Sequence, residues 1–173
     1  MKTLIVVDMQ NDFIDGALGT PEAVAIVPNV KKKIEEYRKN GDRIVYTYDT
    51  HQDNYLHTHE GQKLPVKHCI NGTHGWQVAD EIAPQEGDIR IWKKCFGYNG
   101  WAMFGFQDCE SVELVGLCTD ICVVSNALII RSMNPELDVI VDASCCAGVT
   151  PESHKAALLT MKMCQIDVIG EEK

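Results

Sequence analysis

Six short apolar runs recur along this chain, and most of them close on a charged or polar residue. Thr3-Leu4-Ile5-Val6-Val7 runs without a polar break to Asp8, as a parallel strand buried on both faces does. Arg43 to Tyr48 leads into Asp49-Thr50-His51, and Asp88 to Trp92 leads into Lys93-Lys94. Ser111 to Val115, Leu137 to Val141 and Asp167 to Ile169 complete the set. Helical spacing fills the gaps. An amphipathic helix is expected from Pro28, as its first residue, to Asn40-Gly41, with Val30, Ile34 and Tyr37 on its apolar face. A short helical piece is expected from Trp76 to Ile82, and another in the aromatic segment Phe96 to Phe106. Gly116 is read as the end of the fourth strand. A helix then begins near Asp120 with the stripe Ile121, Val124, Leu128 and Ile129. Thr150-Pro151-Glu152 reads as N-cap, first-turn proline and an acid favoured by the helix dipole, opening a helix to about Met163.

Strands alternating with helices specify an α/β fold: a parallel sheet with right-handed crossovers and helices on both faces. With 173 residues and 45% hydrophobic content, one domain over residues 1–173 is expected. Such sheets bind ligands beyond the carboxyl ends of their strands, where the strand order reverses. Asp8, Asp49, Lys93 and Cys122 each follow the end of a different strand, which points to one shared site.

The net charge of -9 argues against nucleic acid or an anionic membrane as partner. No apolar run reaches the ~18 residues of a membrane helix, and the first strand is too short for a signal peptide's core. A cytoplasmic location is expected. Eight cysteines in a chain of this size, with no Cys-x-x-Cys pair, read as reduced thiols rather than a disulfide framework or zinc knuckle.

Cys122 sits where a strand hands over to a helix, and the dipole there lowers a thiol's pKa from about 8.5. A thiol nucleophile needs a base and a stabiliser for the anion. Asp8 is the candidate base, its pKa raised by burial. Lys93 or Lys94 could supply the positive charge. Asp49-x-His51 places two ligands on one side of an extended segment, and His68 follows in a long aperiodic loop, residues 52–75. Two histidines and a carboxylate suit zinc or another divalent first-row metal, with His57 and His59 as competing ligands. Phe13, Tyr98, Trp101 and Phe104 could line a pocket for a flat substrate. Exposed aromatics near Trp101 make a homo-oligomer plausible. No Gly-rich nucleotide-binding motif follows any strand.

The chain resembles the isochorismatase-like cysteine hydrolases, in their nicotinamidase/pyrazinamidase branch. The matching pieces are Leu4 to Phe13, Asp49-Thr50-His51, His68 to Gly75, Lys93 ahead of Phe96-Gly97, and Gly116 to Val123. The resemblance implies a three-layer fold on a six-stranded parallel sheet ordered 3-2-1-4-5-6. It also implies a catalytic triad of Asp8, Lys93 and Cys122, the lysine being the one three residues before Phe96. The metal ligands become Asp49, His51 and His68, for zinc first, with iron or manganese as alternatives. A cis peptide before Cys118 would aim the Cys118 and Cys122 N–H groups into an oxyanion hole. The implied activity is deamidation of nicotinamide or a similar small amide through a thioester. A family member with a different small substrate, or an inactive interaction module, is the alternative. Two departures stand out. Leu64-Pro65-Val66-Lys67 lacks the Trp-Pro that many nicotinamidases carry, and Tyr98 to Trp101 replaces a small residue and phenylalanine.

Overall fold

The computed structural model describes residues 1–171, so the last two residues of the expected 1–173 domain lie outside it. In chain order its elements are β1 (Thr3–Val7), α1 (Asn11–Ile14), α2 (Pro21–Lys39), β2 (Arg43–Asp49), α3 (His59–Lys63) and β3 (Ile89–Lys93). Then come α4 (Trp101–Phe104), β4 (Ser111–Leu117), α5 (Val124–Met133), β5 (Asp138–Ala147), α6 (Pro151–Met163) and β6 (Asp167–Ile169). The strands form one six-stranded sheet, all parallel, in the order β3-β2-β1-β4-β5-β6. The order reverses between β1 and β4, beside the end of β1.

Alternate residues of β1 explain its unbroken apolar run. Leu4 and Val6 pack on one face with Ile26, Val30, Ile34 and Tyr37 of α2. Ile5 and Val7 pack on the other with Val123, Ala127 and Ile130, and with Leu158 and Met161 of α6. Fully burying each such aliphatic side chain stabilises by about 1.5–3 kcal/mol. Both faces are covered, so neither can be polar. Among the described residues no helix is long and apolar enough to cross a membrane.

Several local expectations give way. The helix expected from Pro28 begins at Pro21, with the Thr20 side chain accepting from the Ala23 N–H at 3.0 Å. Pro28 sits inside it. Thr-Pro is the stronger start signal, because it supplies both the cap and the fixed φ. Gly116 does not end β4. It continues the strand at φ 118°, and a Cβ there would lie 2.2 Å from the Val7 carbonyl oxygen. The glycine lets β4 approach β1 where the site is built. Beyond it, Thr119–Val123 forms a wide π-type turn rather than the first turn of an α-helix. The most buried positions there are Cys122, Val123, Asn126, Ala127 and Ile130, while Ile121, Val124, Leu128 and Ile129 are half-buried on its flanks. The widened turn rotates the face that meets the sheet. β5 runs on to Ala147, six residues past its expected end at Val141, with a register shift between Leu114 and Gly116. A short helix, α3, lies in the loop read as aperiodic.

Candidate active site

Asp8 leaves β1 at φ 48°, a left-handed conformation that few non-glycine residues adopt. Its N–H donates to the Thr47 carbonyl at 3.2 Å, and the Thr47 hydroxyl donates to Oδ1 at 2.6 Å. Oδ2 lies 2.6 Å from Lys93 Nζ. The contact is a short charge-assisted one, and Oδ2 keeps a further lone pair for a proton. Lys93 is the last residue of β3, and strand register sets it against Asp49, 3.6 Å from Oδ1. Its amine donates to the Cys95 carbonyl at 3.1 Å and to Cys122 Sγ at 3.4 Å. Lys94 points away into solvent, as strand alternation requires.

The Leu117–Cys118 peptide is cis. After it, the Ile121 and Val123 N–H groups both donate to the Cys118 carbonyl at 3.1 Å, fixing the turn that carries Cys122. Thr119 Oγ1 lies 2.8 Å from His154 Nδ1, and the Asp120 carboxylate accepts from the Val149 N–H, so the start of α6 braces the same turn.

Charges in this dry cluster oppose one another. Burial pushes the Asp8 carboxyl up, and the Lys93 ammonium offsets part of that rise. Burial pulls Lys93 down, but Asp8, Cys122 and Asp49 outweigh it and hold the amine charged. Burial, then the Asp8 charge, push the Cys122 thiol well above its ordinary value against the pull of Lys93. This corrects the expectation of a thiol lowered by a helix dipole. A π-type turn buried beside a carboxylate is a poor place for a free thiolate, and the proton stays on sulfur until something draws it off.

Beside this set, Asp49, His51, Glu60 and His68 each offer a ligand atom within 4.8 Å of the others. His51 Nε2 lies 2.9 Å and His68 Nε2 3.5 Å from Asp49 Oδ2, and Glu60 Oε1 lies 3.5 Å from His51 Nε2 and 3.8 Å from His68 Nε2. His68 Nδ1 is 2.8 Å from the Val66 carbonyl, which can only accept. Nδ1 therefore carries a proton, and Nε2 is the ring nitrogen turned toward the cluster. Burial pushes Asp49 up, but hydrogen bonds from His51 and His68 and the Lys93 charge hold it below the usual carboxylate range. Gln10, fully buried, locks Asp49 in place: Nε2 donates to its carbonyl at 2.9 Å and Oε1 accepts from its N–H at 2.8 Å. Two imidazoles and two carboxylates fit zinc or another divalent first-row cation. His57 and His59 are exposed and outside the cluster. Glu60 is the member that sequence reasoning missed. It is carried on α3, which opens at the Thr58 cap inside the segment read as an aperiodic loop.

A cavity of about 230 Å³ joins the two groups. Asp49, Glu60, His68, Cys118 and Cys122 line one side, and Phe13, Leu18, Leu64, Phe96, Ile121 and Val149 line the other. A wider cleft of about 440 Å³ against α2 and α6 shares only Gly148 with it and is lined by none of Asp8, Lys93 and Cys122. Phe13 is in the pocket as expected, but Trp101 is not. It is 1% exposed, packed edge-on to Tyr98 and Phe104 within the core. Tyr98 packs against that core and lies outside the cavity lining. Phe96, earlier in the same segment, supplies the ring. Trp101 therefore adds nothing to an oligomer surface; Trp92 and Met103 are the exposed large side chains nearby, at 57% and 90%.

A parallel sheet of this order, with acid, amine and thiol meeting at its switch point, is the layout implied for isochorismatase-like proteins. The chain belongs to the isochorismatase family: the model of the isochorismatase domain matches residues 2–173. It is 26% identical over 217 residues to a nicotinamidase of Saccharomyces cerevisiae, covering 99% of this chain and 100% of that one. It is 31% identical over 175 residues to a protein of Arabidopsis thaliana named a probable inactive nicotinamidase, covering 92% and 87%. Among solved structures it is similar to a pyrazinamidase of Pyrococcus horikoshii in complex with zinc, with a TM-score of 0.86 at 28% identity over 98% of this chain and 99% of that chain.

Proposed function

We propose that the protein hydrolyses a small carboxamide of the nicotinamide type to the acid and ammonia, through a thioester on Cys122. The observation that carries this reading is the placement of Lys93 Nζ, 2.6 Å from Asp8 Oδ2 and 3.4 Å from Cys122 Sγ, beside a pocket that Cys122 lines. In the free protein the thiol keeps its proton. As the amide carbon approaches sulfur, Asp8 takes that proton and the S–C bond forms. The Cys118 and Cys122 N–H groups hold the oxyanion, a contribution of about 2.7–4 kcal/mol per donor in well-studied enzymes. Asp8 returns the proton to nitrogen, the C–N bond breaks and ammonia leaves. Water then attacks the thioester with Asp8 taking its proton, the S–C bond breaks, and sulfur recovers a proton as the acid departs. Lys93 keeps the charge of the acid–thiol pair balanced throughout.

Asp49, His51 and His68, with Glu60 beside them, would hold a divalent metal, zinc first among candidates. Such an ion supplies a positive point that orients the amide's ring nitrogen or a bound water. The zinc complex of the Pyrococcus horikoshii relative and the turning of His68 Nε2 toward Asp49 and Glu60 support this ligand set. All eight cysteines are free, which fits the reducing cytoplasm.

Ammonia release from nicotinamide and pyrazinamide tests the reading, with Cys122→Ala as control. Wild type should release ammonia and the variant none, at unchanged far-UV circular dichroism. Turnover retained in Cys122→Ala would defeat the assignment. No turnover by metal-loaded wild type on any small amide would leave the second reading, an inactive interaction module, a reading favoured by a relative named a probable inactive nicotinamidase.

A further inference from the structure

We propose that Asn126 is a positioning residue that sets the nucleophile's turn against the segment carrying the triad lysine and the pocket ring. This deepens the hydrolase reading and rests on Cys122 as its nucleophile.

Asn126 lies on α5, one turn beyond Cys122, and is fully buried. A buried amide without partners would be costly, and this one has four. Oδ1 accepts from the Tyr98 N–H at 2.9 Å and from Trp101 Nε1 at 2.7 Å. Nδ2 donates to the Cys122 carbonyl at 2.8 Å and to the Phe96 carbonyl at 3.2 Å. Two donors face the oxygen and two acceptors face the nitrogen, so only one orientation of the amide satisfies the site. No other residue type offers two acceptor lone pairs and two donors on so short a stem.

The four bonds join parts of the chain that no strand pairing connects. Lys93 ends β3, an edge strand, and the Cys95 carbonyl already takes one bond from its amine. Three residues past Lys93, the Phe96 carbonyl meets Asn126, and the Phe96 ring lines the pocket. Trp101 fills the core behind. A side chain on the helix that continues the thiol's turn therefore fixes both where the lysine segment lies and where one pocket wall stands. Near-attack geometry tolerates little displacement, and about 1 Å can cost a hundredfold in rate.

Two variants test this in the full-length, metal-loaded protein. Asn126→Ser shortens the side chain beyond reach of Phe96, Tyr98 and Trp101, and Trp101→Phe removes one hydrogen bond while keeping a ring. With the folded fraction measured and the assay run well below each melting temperature, Asn126→Ser should lower kcat at least tenfold and raise KM. Trp101→Phe should lower kcat about threefold in wild type and add less than that in the Asn126→Ser background. A role in stability alone would lower the melting temperature while kcat and KM stay within twofold, and that result overturns the proposal. If Asn126→Ser does not fold, Trp101→Phe decides: kcat within twofold of wild type overturns it. Absence of turnover in wild type would count against the hydrolase reading. In that case the Cys122 alkylation rate in Trp101→Phe replaces kcat as readout: a change of threefold or more supports the positioning role, and a change within twofold overturns it.

Discussion

Lys93 and Asp8 form an ion pair 2.6 Å long whose side chains are 1% and 0% exposed. Neither charge has water to fall back on. Removing one partner leaves the other buried and uncompensated, which typically costs about 3–5 kcal/mol. Lys93→Met should therefore destabilise by about that amount, read from urea midpoints, and Asp8→Asn with Lys93→Met should recover part of the loss. Equal stability of Lys93→Met and wild type would show that the pair is not what the fold relies on.

The same carboxylate opposes the thiolate. After burial, the Asp8 charge is the main influence holding the Cys122 thiol up, and Lys93 pulls it down. Asp8→Asn removes the upward push and keeps the amine. Cys122 should then alkylate faster than in wild type at pH 8, by about tenfold for each unit its pKa falls. Ammonia release should nonetheless be lost, since no base remains. Peptide-resolved iodoacetamide labelling reads the rate, and slower labelling in Asp8→Asn would contradict the charge balance.

At the candidate metal cluster, His68→Ala removes an imidazole whose orientation the Val66 carbonyl fixes. Elemental analysis should find about one divalent ion per wild-type chain and much less in this variant. Glu60→Gln, at the cluster's half-buried edge, should weaken metal binding about 10–100-fold, read by chelator competition. Full metal content in His68→Ala would remove that residue from the ligand set.

Away from the pocket, Lys33 Nζ bridges Glu113 at 2.7 Å and Asp142 at 2.9 Å, tying α2 to the sheet. Burial pushes Asp142 up, but hydrogen bonds from Ser144 and Lys33 outweigh it and lower its pKa from the ordinary 3.8. Between the lowered value and 3.8 the unfolded chain binds the proton and the folded chain does not, so stability rises with pH there. The contribution is complete above 3.8 and is lost as pH falls through the folded value. Asp142→Asn should be less stable than wild type at pH 7, and urea titrations should find the gap narrowing below pH 4. A gap unchanged in acid would refute the linkage.

Much of this was legible in the residues. A strand buried on both faces must be apolar throughout, so β1 announced itself, and Thr150-Pro151 marked the start of α6. Side-chain alternation along β3 sorts Lys93 inward and Lys94 outward once the strand's last residue is known. Periodicity misled where the backbone departed from a regular helix or strand. The π-type turn rotated the buried face of α5, and Gly116 served a close approach to Val7 instead of a break.

The sequence by itself determined that Asp8, Asp49 and Lys93 stand at strand ends, because the apolar period that stops beside them is a local property of the chain. Only the tertiary structure decided which of them meet. Glu60 joins Asp49 and His68 across a loop without periodicity, Trp101 goes to the core while Phe96 takes the pocket, and the Cys122 thiol is raised rather than lowered. Those outcomes depend on distances between segments far apart in sequence and on how much water each group loses, and neither is written in any local pattern.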